Sequence, residues 1–166
     1  ILDYLRDHHG FDPDHALTLE QHAVSAAFRA LLDDHIYWSN IYARWADQRN
    51  WNVVREAVFG GLPAAVRPIV FRMARRNMLG QLRSHGLGRH GRDTLYAFGT
   101  KGVQAVSDYL ADKPFFHGEA PSRIDLSLAG YVINQVRAPV DCPMRDLALD
   151  LPNLVAYAER ALRTWF

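Results

Sequence analysis

The chain is expected to be all-α on three observations. A capped helix start at Ser122 runs into an apolar stretch, a segment from 18 to about 47 contains neither proline nor glycine, and glycine and proline steps cut the remainder into helical lengths. The first is the most informative. Ser122-x-x-Asp125 reads as a capping box with aspartate in place of the commoner glutamate. In it the Ser122 hydroxyl serves the Asp125 amide and the Asp125 carboxylate reaches back to the Ser122 amide, so two otherwise orphaned donors are satisfied. Leu126, Leu128, Ala129, Tyr131, Val132 and Ile133 follow, apolar almost all round, which predicts a central helix.

The remaining elements follow in chain order. Ile1, Leu2, Tyr4 and Leu5 are spaced as the last turns of a helix that ends near Gly10, and Phe11 to Leu17, broken by Pro13, reads as a linker. The chain begins at Ile1 without a methionine, from which further residues upstream are expected. Thr18-Leu-Glu-Gln21 is a second capping box and opens the long helix, along which Val24, Phe28, Leu31, Leu32, His35, Tyr42 and Trp45 recur at steps of three and four. Asn50 is a candidate cap for a short helix from Trp51 to about Phe59, ended by Gly60-Gly61. Another helix is expected from Ala64 to about His85, with Pro68 in its first turns where a missing amide costs least. Its arginines, Arg72, Arg75, Arg76 and Arg83, read as an exposed face. The loop Ser84 to Arg92 follows a helix rather than a strand, so it reads as a helix-to-helix turn and not as a phosphate cradle. A helix from Arg92 or Asp93 to about Ala111 carries Gly99 and Gly102, each weakening it by about 1 kcal/mol relative to alanine, which predicts close helix contact there. Pro139, Cys142-Pro143 and Pro152 punctuate two closing helices.

At 166 residues and 49% hydrophobic, the chain is long enough for one substantial core. A net charge of +1 argues against an electrostatically driven nucleic-acid binder, and the local basic region from Arg67 to Arg92, spread across several helix faces, reads as a solvated surface. No apolar run reaches the length of a membrane span. The single cysteine, Cys142, excludes an internal disulfide and reads as a buried or incidental thiol. These features make a cytoplasmic protein the default expectation. Eight histidines invite a metal, but no His-Glu-x-x-His, Glu-x-x-His or pair of histidines four apart is present, so no metal site is assigned. Neither a Gly-x-Ser-x-Gly elbow nor a Cys-x-x-Cys pair occurs, and no catalytic residue is assigned.

Gly118-x-x-x-Ser122-x-x-Asp125 before a small, apolar helix resembles the buried capping-box helix of the glutathione S-transferase C-terminal domain. Leu151-Pro-Asn-Leu154 resembles the step that opens a late helix in that superfamily, and His35 to Trp45 is similar to the aromatic long helix of its failed axon connections and metaxin-like branch. The resemblance implies a glutathione S-transferase C-terminal-like helical bundle over 18–166, with 11–17 as the interdomain linker and 1–10 as the last helix of a thioredoxin-like domain otherwise absent from this chain. It implies glutathione as cosubstrate, a small hydrophobic electrophile, and a homodimer, with the thiolate-stabilising residue outside the chain. The aromatics Tyr37, Trp38, Tyr42 and Trp45 allow two readings, a core seam or the wall of an apolar pocket. By the resemblance, Tyr37, Asn40, Ile41 and Arg44 are the candidate pocket residues. The alternative function is a non-enzymatic, metaxin-like adaptor that makes protein contacts.

Overall fold

A helix must bury an apolar stripe against a neighbour, and here one long helix supplies that stripe to two separate cores. The computed structural model describes Leu2–Phe166, less the side chains of Leu2 and Leu5, so the contacts expected of Ile1, Leu2 and Leu5 lie outside the described residues. Its helices are α1 (Leu2–His9), α2 (Leu19–Ala30), α3 (Tyr37–Ile41), α4 (Trp51–Phe59), α5 (Arg67–His85), α6 (Arg92–Leu110), α7 (Arg123–Arg137), α8 (Pro143–Asp150) and α9 (Pro152–Trp165). Among the described residues there is no strand, and one isolated antiparallel bridge joins Phe115 to Gly118.

Helices α2 and α3 belong to a single rod. Thr18 and Gln21 cap it reciprocally, at 2.9 and 3.2 Å. It stays helical to Ala46, but π-helical segments at Leu31–Ile36 and Tyr42–Ala46 bracket α3. A π turn widens the helix and shifts the register of every later side chain, and such turns recur at functional sites. The sequence predicted an uninterrupted helix, because no glycine or proline marks either segment.

Leu32 and Ile36 of the rod pack with Val103, Val106 and Leu110 of α6, Leu128 and Val132 of α7, and Leu154 and Tyr157 of α9. Each of these side chains contributes about 2 kcal/mol by leaving water. Beyond the second half of the rod, Ile41 and Trp45 join Val54, Phe71 and Leu82 in a smaller core under α4 and α5. The aromatics thus divide: Trp45 is core, stacked on Phe71 at 6.0 Å, Trp38 lies on the His85 ring at 4.5 Å, and Tyr37 is exposed.

The α6 glycines sit where the rod and α8 press closest. A Cβ on Gly99 would fall 2.0 Å from Met144 Sδ and 2.8 Å from Ser39 Cβ, and one on Gly102 would fall 2.7 Å from Ile36 Cγ1. The 84–92 loop is a helix-to-helix turn with Gly86 at φ +108, a region that favours glycine.

Three local expectations change. Asn50 makes no side-chain cap on α4. It instead donates to the carbonyls of Ala43 and Asp141, both at 2.9 Å, and accepts from the Asp141 amide at 2.8 Å, tying the end of the rod to the connection before α8. Arg75 leaves the exposed arginine series: it donates to the Trp45 carbonyl at 2.8 Å and lies 4.1 Å over the Trp51 ring. Helix α7 is central without being buried all round, since Leu126 is exposed while Leu128, Ala129 and Val132 are buried. Cys142 is buried, and burial pushes its thiol pKa up.

At the start of α7, Ser122 and Asp125 form the capping box. The carboxylate of Asp125, fully buried, accepts from the Ser122 amide, the Ser122 hydroxyl and the Phe116 amide, each at 2.8 Å, and from the Tyr157 hydroxyl at 3.0 Å. Asp14, in the 11–17 connection, takes the next free amide of the same helix end, that of Arg123, at 2.7 Å.

Candidate functional site

Where α7 turns away from the core it faces the rod across a cleft of about 360 Å³. The rod contributes Tyr37, Asn40, Ile41 and Arg44, and α7 contributes Ser127, Gly130, Tyr131 and Asn134. Spacings of three and four place each set on one face of its helix. Arg44 lies in the second π segment, whose wider turn resets its direction relative to Tyr37.

Arg44 is the electrostatic centre of the cleft. Its guanidinium donates to the Asn40 carbonyl at 3.3 Å and to the Asn134 side-chain oxygen. Among the described residues no carboxylate forms an ion pair with it, so a half-buried cation is held by neutral oxygens alone. Burial lowers its pKa from the ordinary arginine value, and arginine remains a cation at neutral pH. Asn40 is fixed from behind by the buried Gln135 side-chain amide, at 2.8 Å. At the other end, Tyr131 donates to Asp33 at 2.9 Å, Arg29 pairs with Asp33 at 2.6 Å, and Arg29 also bonds the Ser127 hydroxyl. Burial, then the Asp33 bond, raises the Tyr131 pKa, so its phenol stays protonated.

Gly130 gives the cleft its depth. A Cβ there would meet no heavy atom within 4 Å, unlike Gly99 and Gly102. A glycine inside a helix costs about 1 kcal/mol relative to alanine, and no packing contact requires this one.

The four candidate residues on the rod therefore share one cleft, while Ser127, Gly130, Tyr131 and Asn134 were not singled out. A signal for three of them was present: Ser127, Gly130 and Asn134 repeat at three and four and interrupt the apolar character of α7. Among the described residues no group of three His, Cys, Asp or Glu side chains converges as a metal site, and no helix is long and apolar enough to cross a membrane.

A family model described as the glutathione S-transferase C-terminal domain matches residues 99–161, and one described as the glutathione S-transferase N-terminal domain matches residues 1–50. The chain is 32% identical over 164 residues to an isoprene-epoxide glutathione S-transferase of Rhodococcus sp. (strain AD45), covering 96% of this chain and 68% of that protein. The chain belongs to the glutathione S-transferase superfamily. It is also 30% identical to the Failed axon connections protein of Drosophila melanogaster, over 89% of this chain and 38% of that one. To Metaxin-3 of Danio rerio it is 23% identical, over its whole length and 55% of the relative. These two relatives set this transferase-family chain on the metaxin-like branch. No solved structure matches the chain.

The N-terminal match corrects one expectation. Residues 1–50 do match the N-terminal domain of the transferase family, so that domain is not absent from the chain. The matched span runs through α1, the connection and the rod to Asn50. The capping-box and aromatic-helix resemblance had assigned everything from Thr18 onward to the helical domain.

Proposed function

We propose that the chain acts as a glutathione transferase and that the cleft between the rod and α7 receives its electrophile. One observation carries this reading: a cleft with an apolar wall at Ile41 and an open floor at Gly130 holds a half-buried arginine without a carboxylate. Such a cation suits an anion that develops during reaction, because it is held in place beforehand by Asn40 and Asn134. Glutathione is the cosubstrate the family implies. The Rhodococcus relative is named for isoprene epoxide, which supports a small hydrophobic epoxide as the electrophile class.

In this reaction the glutathione thiolate attacks an epoxide carbon. The C–S bond forms as the C–O bond breaks, and the alkoxide takes a proton from water. Arg44 steadies the charge on the departing oxygen, Asn40 and Asn134 hold the guanidinium, and Tyr37 and Ile41 flank the hydrocarbon part. The rod and α7 frame the pocket, and the chain works as a cytoplasmic homodimer. Arg44→Ala lowers kcat for a small epoxide about 100-fold with the helical content unchanged, and Arg44→Lys recovers part of it. Unchanged turnover in Arg44→Ala would remove this cleft from the chemistry.

The likeness to Failed axon connections and Metaxin-3 favours a second reading, a non-enzymatic adaptor. A chain that neither is retained on immobilised glutathione nor conjugates an epoxide or a dinitrohalobenzene, yet captures a specific protein, supports the adaptor.

A further inference from the structure

Residues 51–98 lie outside both family-model matches, and within them the α4–α5 hairpin presents a surface the transferase reading does not use. Val58, Val66, Ile69 and Met73 are 59%, 44%, 61% and 68% exposed at or near its tip. The inner face of α5 is committed to the small core through Phe71 and Leu82. At 100° per residue Ile69 and Met73 fall on the opposite, outward face, and Arg72, Arg76 and Arg83 form one flank of that face. The helix carries five arginines and no carboxylate. Two are engaged, Arg67 with Glu56 at 2.8 Å and Arg75 with Trp45 and Trp51. Arg72, Arg76 and Arg83 are exposed and make no ion pair among the described residues.

We propose that this hairpin tip docks peripherally on an anionic lipid surface, with the apolar side chains at the acyl boundary and the three arginines among the headgroups. Charge decides the occupant. Two copies of the chain meeting here would bring arginines against arginines with no acidic residue on either α5 to offset them. Apolar side chains beside a basic flank are the arrangement of an interfacial helix, whose binding combines buried apolar area with attraction to anionic lipid. The proposal is independent of the cleft and of any transferase activity.

The test is co-sedimentation of the full chain with phosphatidylcholine vesicles and with vesicles that also contain phosphatidylserine. Binding is expected to the second kind only, falling as salt rises. Arg72→Gln with Arg76→Gln weakens it roughly thirty-fold, and Ile69→Ser with Met73→Ser weakens it by a similar factor. All four positions are exposed, so circular dichroism of each variant matches the parent, and thermal unfolding provides a second check on the fold. Equal binding to both vesicles, or binding to the anionic ones that ignores these substitutions, overturns the proposal. So does a lipid-free dimer broken by Ile69→Ser, which would assign the surface to a second copy. Retention on immobilised polyglutamate without vesicle binding also overturns it and points to an acidic protein partner.

Discussion

Tyr157 donates its hydroxyl to Asp125 Oδ1 at 3.0 Å, so the carboxylate that caps α7 also anchors α9. Burial, followed by the neighbouring carboxylate, raises the tyrosine pKa and keeps that donor protonated. Removing one partner of a buried bond leaves the other unsatisfied, so the two positions differ in cost. Asp125→Ala strands four donors and lowers unfolding stability by about 4 kcal/mol, whereas Tyr157→Phe removes one donor and costs about 1–2 kcal/mol. Urea titration separates them, and equal losses would mean that the capping bonds contribute little beyond the contact with α9.

Gly130 is expected to trade stability against function. Gly130→Ala meets open space and raises stability by about 1 kcal/mol through helix propensity. Gly130→Leu fills the cleft and raises KM for the electrophile more than it alters glutathione binding. Thermal unfolding and steady-state kinetics check the two halves, and a leucine variant with unchanged kinetics would place the electrophile elsewhere.

Gly102 behaves in the opposite way. A Cβ there lies 2.7 Å from Ile36 Cγ1, on a β-branched side chain that is stiff at χ1. Gly102→Ala therefore costs about 1–3 kcal/mol of overpacking. Gly80→Ala in α5, which meets nothing within 4 Å, is the control and is mildly stabilising. Chemical denaturation of the pair gives shifts of opposite sign.

Acid stability should carry the mark of Asp47. Its carboxylate accepts from Arg49 at 2.9 Å and from the Tyr96 hydroxyl at 2.8 Å, and these bonds, Arg49 first, hold its pKa at about 2 against an ordinary 3.8. With the folded value depressed, the contribution is complete above pH 3.8 and is lost as pH falls through about 2. Allowing for solvent screening on the Arg49 side it amounts to about 1 kcal/mol. Stability measured against pH should flatten across that window in Asp47→Asn.

His117 governs a milder range. It lies 2.7 Å from Ser25 Oγ and 3.1 Å from the Tyr109 hydroxyl, and burial lowers its pKa from 6.5. The neutral ring is the folded form, so its contribution is present above pH 6.5 and is lost as pH falls through the lower folded value. His117→Gln removes that slope, which hydrogen exchange of α2 amides across the range reads directly.

Much of the helical layout was legible because its signals are local. Thr18-x-x-Gln21 and Ser122-x-x-Asp125 mark starts, Gly60-Gly61 marks an end, and Pro68 and Pro143 sit in first turns. Of the cleft, the rod's four residues were reached through family resemblance, and the α7 wall was passed over because Ser127, Gly130 and Asn134 sit within an apolar run that reads as core. The π segments left no trace in composition: no glycine or proline marks them, and they lie where the rod packs against α6 and α5. Asn50 and Arg75 were misplaced for a related reason: their partners, Asp141 and Trp45, stand 91 and 30 residues away.

By itself the sequence determined where most helices begin and end, although the helix expected from Ala64 starts at Arg67, that α7 is central, and the family to which the chain belongs, since capping, periodicity and motif spacing act within a few residues. Close contact at Gly99 and Gly102 was already expected from the sequence, but tertiary structure alone decided that Gly130 opens a cleft and why a lone arginine faces it. Those outcomes depend on the meeting of segments some 90 residues apart, as Arg44 meets Asn134. No local pattern encodes such a meeting until the chain has packed.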